Sequence, residues 1–400
     1  MPPEDTSLLS DLLETSSERE TTRPRPRTDH EIENAYSNIS FRVIYQSNNF
    51  FLPQIQSLIN GREVINLRPE YQRRLRWSAG KKSRLIESLL LNVPIPPIYL
   101  YESELARYEV MDGQQRLNSV HDFLENNFPL VGLEKLNFLN GRRYNRLPPM
   151  ITRNLARASI SAIVLLQESK TESDDPYTIR RYVFERLNTG GEKLNPQEMR
   201  NSIFRGNFND MIVELARNST FCEIFDIPLY TETDENEYYE NPQRQKNRLY
   251  KTMSDCQLVL RFFSLKDDSH IRGSMQSILD NCMKRYQRAS ASRLSELRQI
   301  FEQTILACKD IFGNEVFQLP PDEQGVKRLS TALYDACMAA VARRLDQQAI
   351  LRQKRSRIRS ALNESISQQL ELFTGKANTS QSIKDRIERV GSILDAAINQ

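Results

Sequence analysis

Every segment of this sequence that reads as a β-strand lies before residue 167, and beyond Pro176 the apolar spacing is helical almost to the end. That asymmetry predicts an α+β N-terminal domain followed by a mostly α-helical C-terminal domain. The divisions expected are a disordered tail over 1–40, a mixed domain over 41–170 and a helical domain over 171–400. Extended segments are predicted at Glu63 to Leu67, Ile98 to Tyr101, Tyr108 to Met111 and Ser159 to Leu166. Helices are predicted from Asn49 to Asn60, around Leu85, Ile86, Leu89 and Leu90, and from the spacing of Leu117, Val120 and Leu124. In the second half, helices are expected near Phe208 to Arg217 and Met253 to Leu265. The seven acids between Phe221 and Glu240, with no base among them, predict a solvated loop between these two. The last helix carries an apolar stripe at Ile383, Ile387, Val390, Leu394 and Ala397, for which internal packing is the default.

Composition narrows the chemistry. No apolar run approaches the roughly 20 residues of a membrane span, so no membrane partner is expected. Five widely spaced cysteines without a C-x-x-C pair are expected to be buried thiols in a reducing cytoplasm. Only three histidines, His30, His121 and His270, leave little for multi-histidine metal sites. An active site is expected to use Asp, Glu, Gln, Asn, Arg and backbone amides instead. Residues 1–40 hold nine acids against four arginines, whereas residues 41–100 hold nine Lys/Arg against three Glu, a local basic field.

Three motifs carry candidate chemistry. The first, V-M-D-G-Q-Q-R-L from Val110 to Leu117, is a strand end, a glycine turn and a helix start. A helix N-terminus presents unpaired N–H groups and a partial positive charge that attract phosphate. Gly113 allows close backbone approach and Arg116 offers a planar fork. Asp112 suits a magnesium ion or a water, and Gln114 or Gln115 suits phosphate or base edges. A purely structural reading, a D-G turn beside a surface arginine, stands level with this one. The second, R-P-E-Y-Q-R-R-L-R-W from Arg68 to Trp77, interleaves arginines with Tyr71 and Trp77. Taken alone it reads first as an arginine-rich loop clipped to the core by its aromatics. In the third, Phe184 to Asn201, Gly190 and Gly191 end one helix, and Asn195, Pro196 and Glu198 fit the N-cap, N1 and N3 positions of the next. Weaker signals are His121-Asp122, Glu168-x-Lys170 and the basic run Arg352, Lys354, Arg355, Arg357 and Arg359, which reads first as a solvated helix face.

In order, PEYQR, LIESLLL, PIPPIYL, DGQQR, FERLNTGG and QEMRN resemble the GmrSD-type restriction endonuclease N-terminal domain family over about residues 45 to 215. The resemblance implies a ParB/sulfiredoxin-like fold that binds NTP, with Mg2+ as cofactor. It implies catalytic roles for Asp112, Gln115 and Arg116, with Asp112 as metal ligand. Gln72, Arg73, Gly113, Gln114, Arg186 and Asn188 are implied to bind the nucleotide. Fuller members end in a His-Asn-His nuclease, and after residue 215 only His270 is present. The first expectation is therefore a cytoplasmic, phage-defence-type nucleotide-binding protein: a Mg-dependent NTPase acting as sensor or regulator of DNA restriction. Its partners would be DNA and a separate nuclease subunit. The alternatives are a non-enzymatic DNA-binding or regulatory protein and, third, a nuclease in its own right.

Overall fold

The computed structural model describes residues 28–39, 41–60, 64–67, 77–169, 176–187, 195–204, 206–229, 241–313, 315–321, 325, 327–375 and 379–399. The chain divides into two compact units, one ending at Lys193 and the other running from Leu194 to Gln400. The first is mixed α and β, the second helical.

The first unit begins with helix α1 (Asp29–Ser37), started by a capping box in which Thr28 and Glu31 satisfy each other's backbone N–H. It buries no residue, so it is a helix held by its own cap within a stretch expected to be disordered. Then follow β1 (Tyr45–Phe51), α2 (Leu52–Asn60), β2 (Ile65–Asn66), α3 (Ala79–Leu90), β3 (Ile98–Glu104), β4 (Arg107–Asp112), α4 (Gln114–Leu124), α5 (Pro149–Arg157), β5 (Ser159–Leu165) and α6 (Pro176–Leu187). The five strands form one sheet in the order β1-β5-β3-β4-β2. β1 is antiparallel to β5, β5 parallel to β3, β3 antiparallel to β4, and β4 parallel to β2.

Strand β1 corrects one expectation, because the predicted helix from Asn49 starts only at Leu52. Its polar sequence YQSNNFF has little intrinsic strand signal, yet each of its residues pairs with β5, and the Leu52 N–H donates to the Ala158 carbonyl. Tertiary pairing overrides local pattern here. One face of the sheet presents Ile98, Leu100, Val110, Ile160, Ala162 and Val164 to the buried faces of α2, α3, α4 and α5, forming a single core. Ser83 and Glu87, one turn apart on α3, tie down the loop that follows α4. Ser83 Oγ accepts the Val131 N–H, and the Glu87 carboxylate accepts those of Glu134, Lys135 and Leu136.

The principal helices of the second unit are α7 (Pro196–Ile203), α8 (Asn207–Leu215), α9 (Ser254–Leu265), α10 (Met275–Tyr286), α11 (Ala291–Phe312), α12 (Thr331–Ala342), α13 (Arg355–Gln368) and α14 (Ser380–Ile398). Asn195, Pro196 and Glu198 occupy the expected N-cap, N1 and N3 positions of α7, with a complete capping box. Every residue of α9 is buried. The α14 stripe Ile383, Ile387, Val390, Leu394 and Ala397 is buried within the unit, as internal packing requires. The acidic segment is not wholly solvated. Phe221, Cys222, Phe225 and Ile227 are core residues, because each acid up to Asp226 alternates with an apolar side chain that the bundle covers, while residues 230–240 lie outside the described residues. All five cysteines are free and buried, and burial pushes the Cys282 thiol up to about 11.

Candidate functional site

The β4–α4 turn is built by two departures from regular geometry. Leu100 pairs with Val110 but Tyr99 pairs with Asp112, so Met111 is an extra residue in β4 and the register shifts. Without this bulge Asp112 would follow Val110 onto the helix-covered face; with it, Asp112 stands opposite Tyr99 on the other face. Gly113 then takes a left-handed conformation, φ 92°, as the N-cap of α4. A Cβ there would lie 2.4 Å from Ile98 Cγ2, so both backbone and space demand glycine. The cap makes no side-chain hydrogen bond, and the helix's first backbone bond runs from Leu117 N–H to the Gly113 carbonyl. The amides before it therefore have no intrahelical acceptor.

The side chains of the turn differ in their state. Gln114 is 8% exposed, and among the described residues neither its Nε2 nor its Oε1 has a hydrogen-bond partner. Gln115 Oε1 accepts the Trp77 N–H at 3.2 Å, tying the end of the arginine-rich block to the turn. The Trp77 ring packs on the core and carries the Lys81 ammonium 4.8 Å from its centroid. Arg116 Nη2 donates to the Pro97 carbonyl at 3.1 Å and to Asp112 Oδ2 at 2.8 Å, while its buried Nε has no partner among the described residues. Asp112 is exposed beyond this ion pair. Asp112, Gly113, Gln114, Gln115 and Arg116 are thus brought together.

Of the remaining candidates, Gln72, Arg73 and Asn188 lie outside the described residues, as do Tyr71, Gly190 and Gly191. Arg186 stacks on the Tyr182 ring of its own helix at 4.2 Å. Arg180, which sequence reasoning missed, reaches the sheet face that ends at Asp112. Its guanidinium is 3.1 Å from Glu109 and 3.7 Å from the Tyr101 ring centroid, and Tyr101 pairs directly with Glu109. No local sequence signal marks it, because its partners lie some 70 residues earlier on two strands. His121 and Asp122 are engaged by Asn60 and Lys82. The QEMRN block is buried in the helical unit, where Arg200 pairs with Asp280 at 2.8 Å and Gln197 bonds Asn201. Arg359 donates to the carbonyls of Asp310 and Ile311 at the end of α11, and Arg352 pairs with Asp310.

This geometry fits an anionic ligand. An uncapped helix start with a glycine cap, a buried amide lacking partners and a half-satisfied guanidinium all offer polar contacts to phosphate oxygens. Asp112 also fits a magnesium ion, which commonly takes one or two carboxylates together with phosphate oxygens and waters. Among the described residues no group of three or more His, Cys, Asp or Glu is placed to hold a metal. No helix among them is long and apolar enough to cross a membrane.

Residues 55–205 match the family model described as the GmrSD restriction endonuclease, N-terminal domain. No curated protein and no solved structure matches the chain. The matched stretch covers strands β2 to β5 of the sheet, the β4–α4 turn and helix α7.

Proposed function

We propose, from the premise that residues 55–205 are a GmrSD restriction endonuclease N-terminal domain, that this chain is a nucleotide-binding component of a phage-defence restriction system. The β4–α4 turn takes the phosphates of an NTP, within a domain of ParB/sulfiredoxin-like fold. The observation that carries this reading is the Gln114 amide, buried with neither atom bonded. A buried polar group in that state costs roughly 1–3 kcal/mol, and a ligand at the helix start offsets the cost. In this reading Gln114 and the first amides of α4 hold phosphate oxygens, and Arg116 exchanges Asp112 for phosphate. Gln115 holds Trp77 at the turn, and Gln72 and Arg73 of the same block are proposed, by resemblance to the family, to bind the nucleotide. Arg186 and Asn188 are proposed on the same ground to contribute to nucleotide binding.

Magnesium would be held by Asp112 together with phosphate oxygens, and supplies charge neutralisation when bound. Asp112 and Gln115 would then orient the attacking water, making the chain an NTPase that senses or regulates DNA restriction beside a separate nuclease subunit. A second reading, nucleotide binding without turnover, is favoured by the Asp112–Arg116 pair, which engages the one carboxylate of the turn.

The test uses the purified full chain with each NTP and Mg2+, reading equilibrium binding and phosphate release. Wild type binds at least one NTP, and Arg116→Ala or Gln114→Leu weakens binding by about tenfold or more. Turnover that Asp112→Ala abolishes supports the hydrolase. Binding without turnover supports the regulatory reading, and no binding of any NTP overturns both.

A further inference from the structure

The loop and helix between α4 and β5 form a one-sided charged surface of the first unit. From Lys135 to Gln167 the chain has six basic residues, Lys135, Arg142, Arg143, Arg146, Arg153 and Arg157, and no acid. All six are exposed. Arg142, Arg146, Arg153 and Arg157 have no acidic partner among the described residues. Arg143 donates to the Asn126 carbonyl and thereby fixes the segment.

The backbone beneath these side chains is held in place. Asn126, just past the end of α4, accepts the Asn145 N–H through Oδ1 at 2.8 Å. Residues 130, 141 and 142 exchange backbone bonds, and Glu87 holds residues 134 to 136. On α5, Met150, Arg153 and Arg157 share the solvent face at helical spacing, while Leu155 faces the core. Exposed Asn137, Asn140 and Asn145 and the 67% exposed Phe138 lie among the arginines.

We infer that this Phe138–Arg157 surface is a docking site for the phosphate backbone of double-stranded DNA. Five arginines and no lysine within it suit phosphate, because a guanidinium grips oxygens with a planar fork. Exposed asparagine amides add contacts to phosphate or base edges, and an exposed phenylalanine among them can wedge against the duplex. A membrane surface fits less well, since interfacial binding needs the apolar face of a helix, and that of α5 is buried in the core. The site lies at the C-terminal end of α4, about 16 Å along the helix from Gly113. It is therefore separate from the nucleotide turn. The choice of DNA as the polyanion rests on the restriction-system reading; the surface itself does not depend on nucleotide binding.

The experiment titrates the full chain against a labelled duplex of about 20 base pairs by fluorescence anisotropy, between about 50 and 200 mM salt. Each phosphate contact contributes about 0.9 to the slope of log affinity against log salt. The variant Arg146→Ala/Arg153→Ala/Arg157→Ala is expected to lose between two and three from that slope and more than about tenfold in affinity. It should keep its melting temperature and its nucleotide binding. Arg116→Ala should keep the wild-type salt slope, so failure of the nucleotide reading is told apart from failure of this one. A triple variant with unchanged slope and affinity overturns the assignment. So does a wild-type chain that binds no duplex, whether or not it binds phosphatidylserine vesicles.

Discussion

In the helical unit Arg200, Arg261 and Arg386 are buried against Asp280 and Asp335, whereas Arg142, Arg146, Arg153 and Arg157 of the α+β unit stand exposed with no acid beside them among the described residues. Several surface arginines of the helical unit are engaged as well: Arg343 by Asp268, Arg344 by Asp395, Arg352 by Asp310. The same side chain thus braces one unit and faces outward on the other. Local charge density does not separate the two cases. The run Arg352–Arg359 is as basic as Arg142–Arg157, but it meets the end of α11, where carbonyls and Asp310 attract cations. What a basic run does is decided by what stands opposite it.

The largest effect should come from breaking the buried side of this contrast. Asp335 receives two bonds from Arg261, at 2.9 and 2.5 Å, and a longer one from Arg386. Asp335→Ala leaves two interior guanidinium groups facing each other and should cost about 3–5 kcal/mol in urea unfolding. A loss below about 1 kcal/mol would mean that water reaches this cluster, and the contrast between the units would weaken.

Next comes the tie beneath the exposed surface. Burial alone would raise the Glu87 carboxyl, but hydrogen bonds from the backbone N–H groups of Leu136, Glu134 and Lys135 outweigh it and hold it below its ordinary value of 4.5. Its contribution is therefore fully present above that ordinary value and is lost as pH falls through the lower folded-state value. Glu87→Gln should cost about 2 kcal/mol at neutral pH. Thermal melting from pH 7 down to about 3 should show a smaller acid loss for this variant than for wild type. Equal acid losses would show that the Glu134–Leu136 loop is held by something else.

The smallest effects sharpen the comparison most. Arg352→Ala should lose no more than about 1 kcal/mol of stability and leave duplex binding untouched. Arg153→Ala/Arg157→Ala should change stability by no more than about 0.5 kcal/mol and still flatten the salt dependence. Crossed results would reverse the roles given to the two basic runs.

The sequence makes the β4–α4 turn legible because three signals coincide within eight residues: apolar alternation ending at Met111, glycine at 113, and helical spacing from Leu117. The α7 cap is legible for the same reason, since Asn195, Pro196 and Glu198 each satisfy a local rule. What local rules do not reach is set by pairing across the chain. The bulge that turns Asp112 to the Tyr99 face exists only relative to β3. Gln114 is exceptional only because its surroundings hold no partner for it, and Arg180 only because Tyr101 and Glu109 sit across from it. Strand β1 is hidden by its polar residues, and the 142–157 surface by the need to know which distant acids fold back onto it.

The bond between Trp77 and Gln115 has a practical consequence. The chain contains a single tryptophan, and its backbone N–H is held by the second residue of α4 while a lysine ammonium sits over its ring. Intrinsic emission excited at the red edge of the indole band therefore comes from one place, the doorstep of the turn. Any ligand that rearranges Gln115 or Lys81 will change its intensity or colour, so the protein carries its own optical reporter and occupancy can be followed without a label on either component.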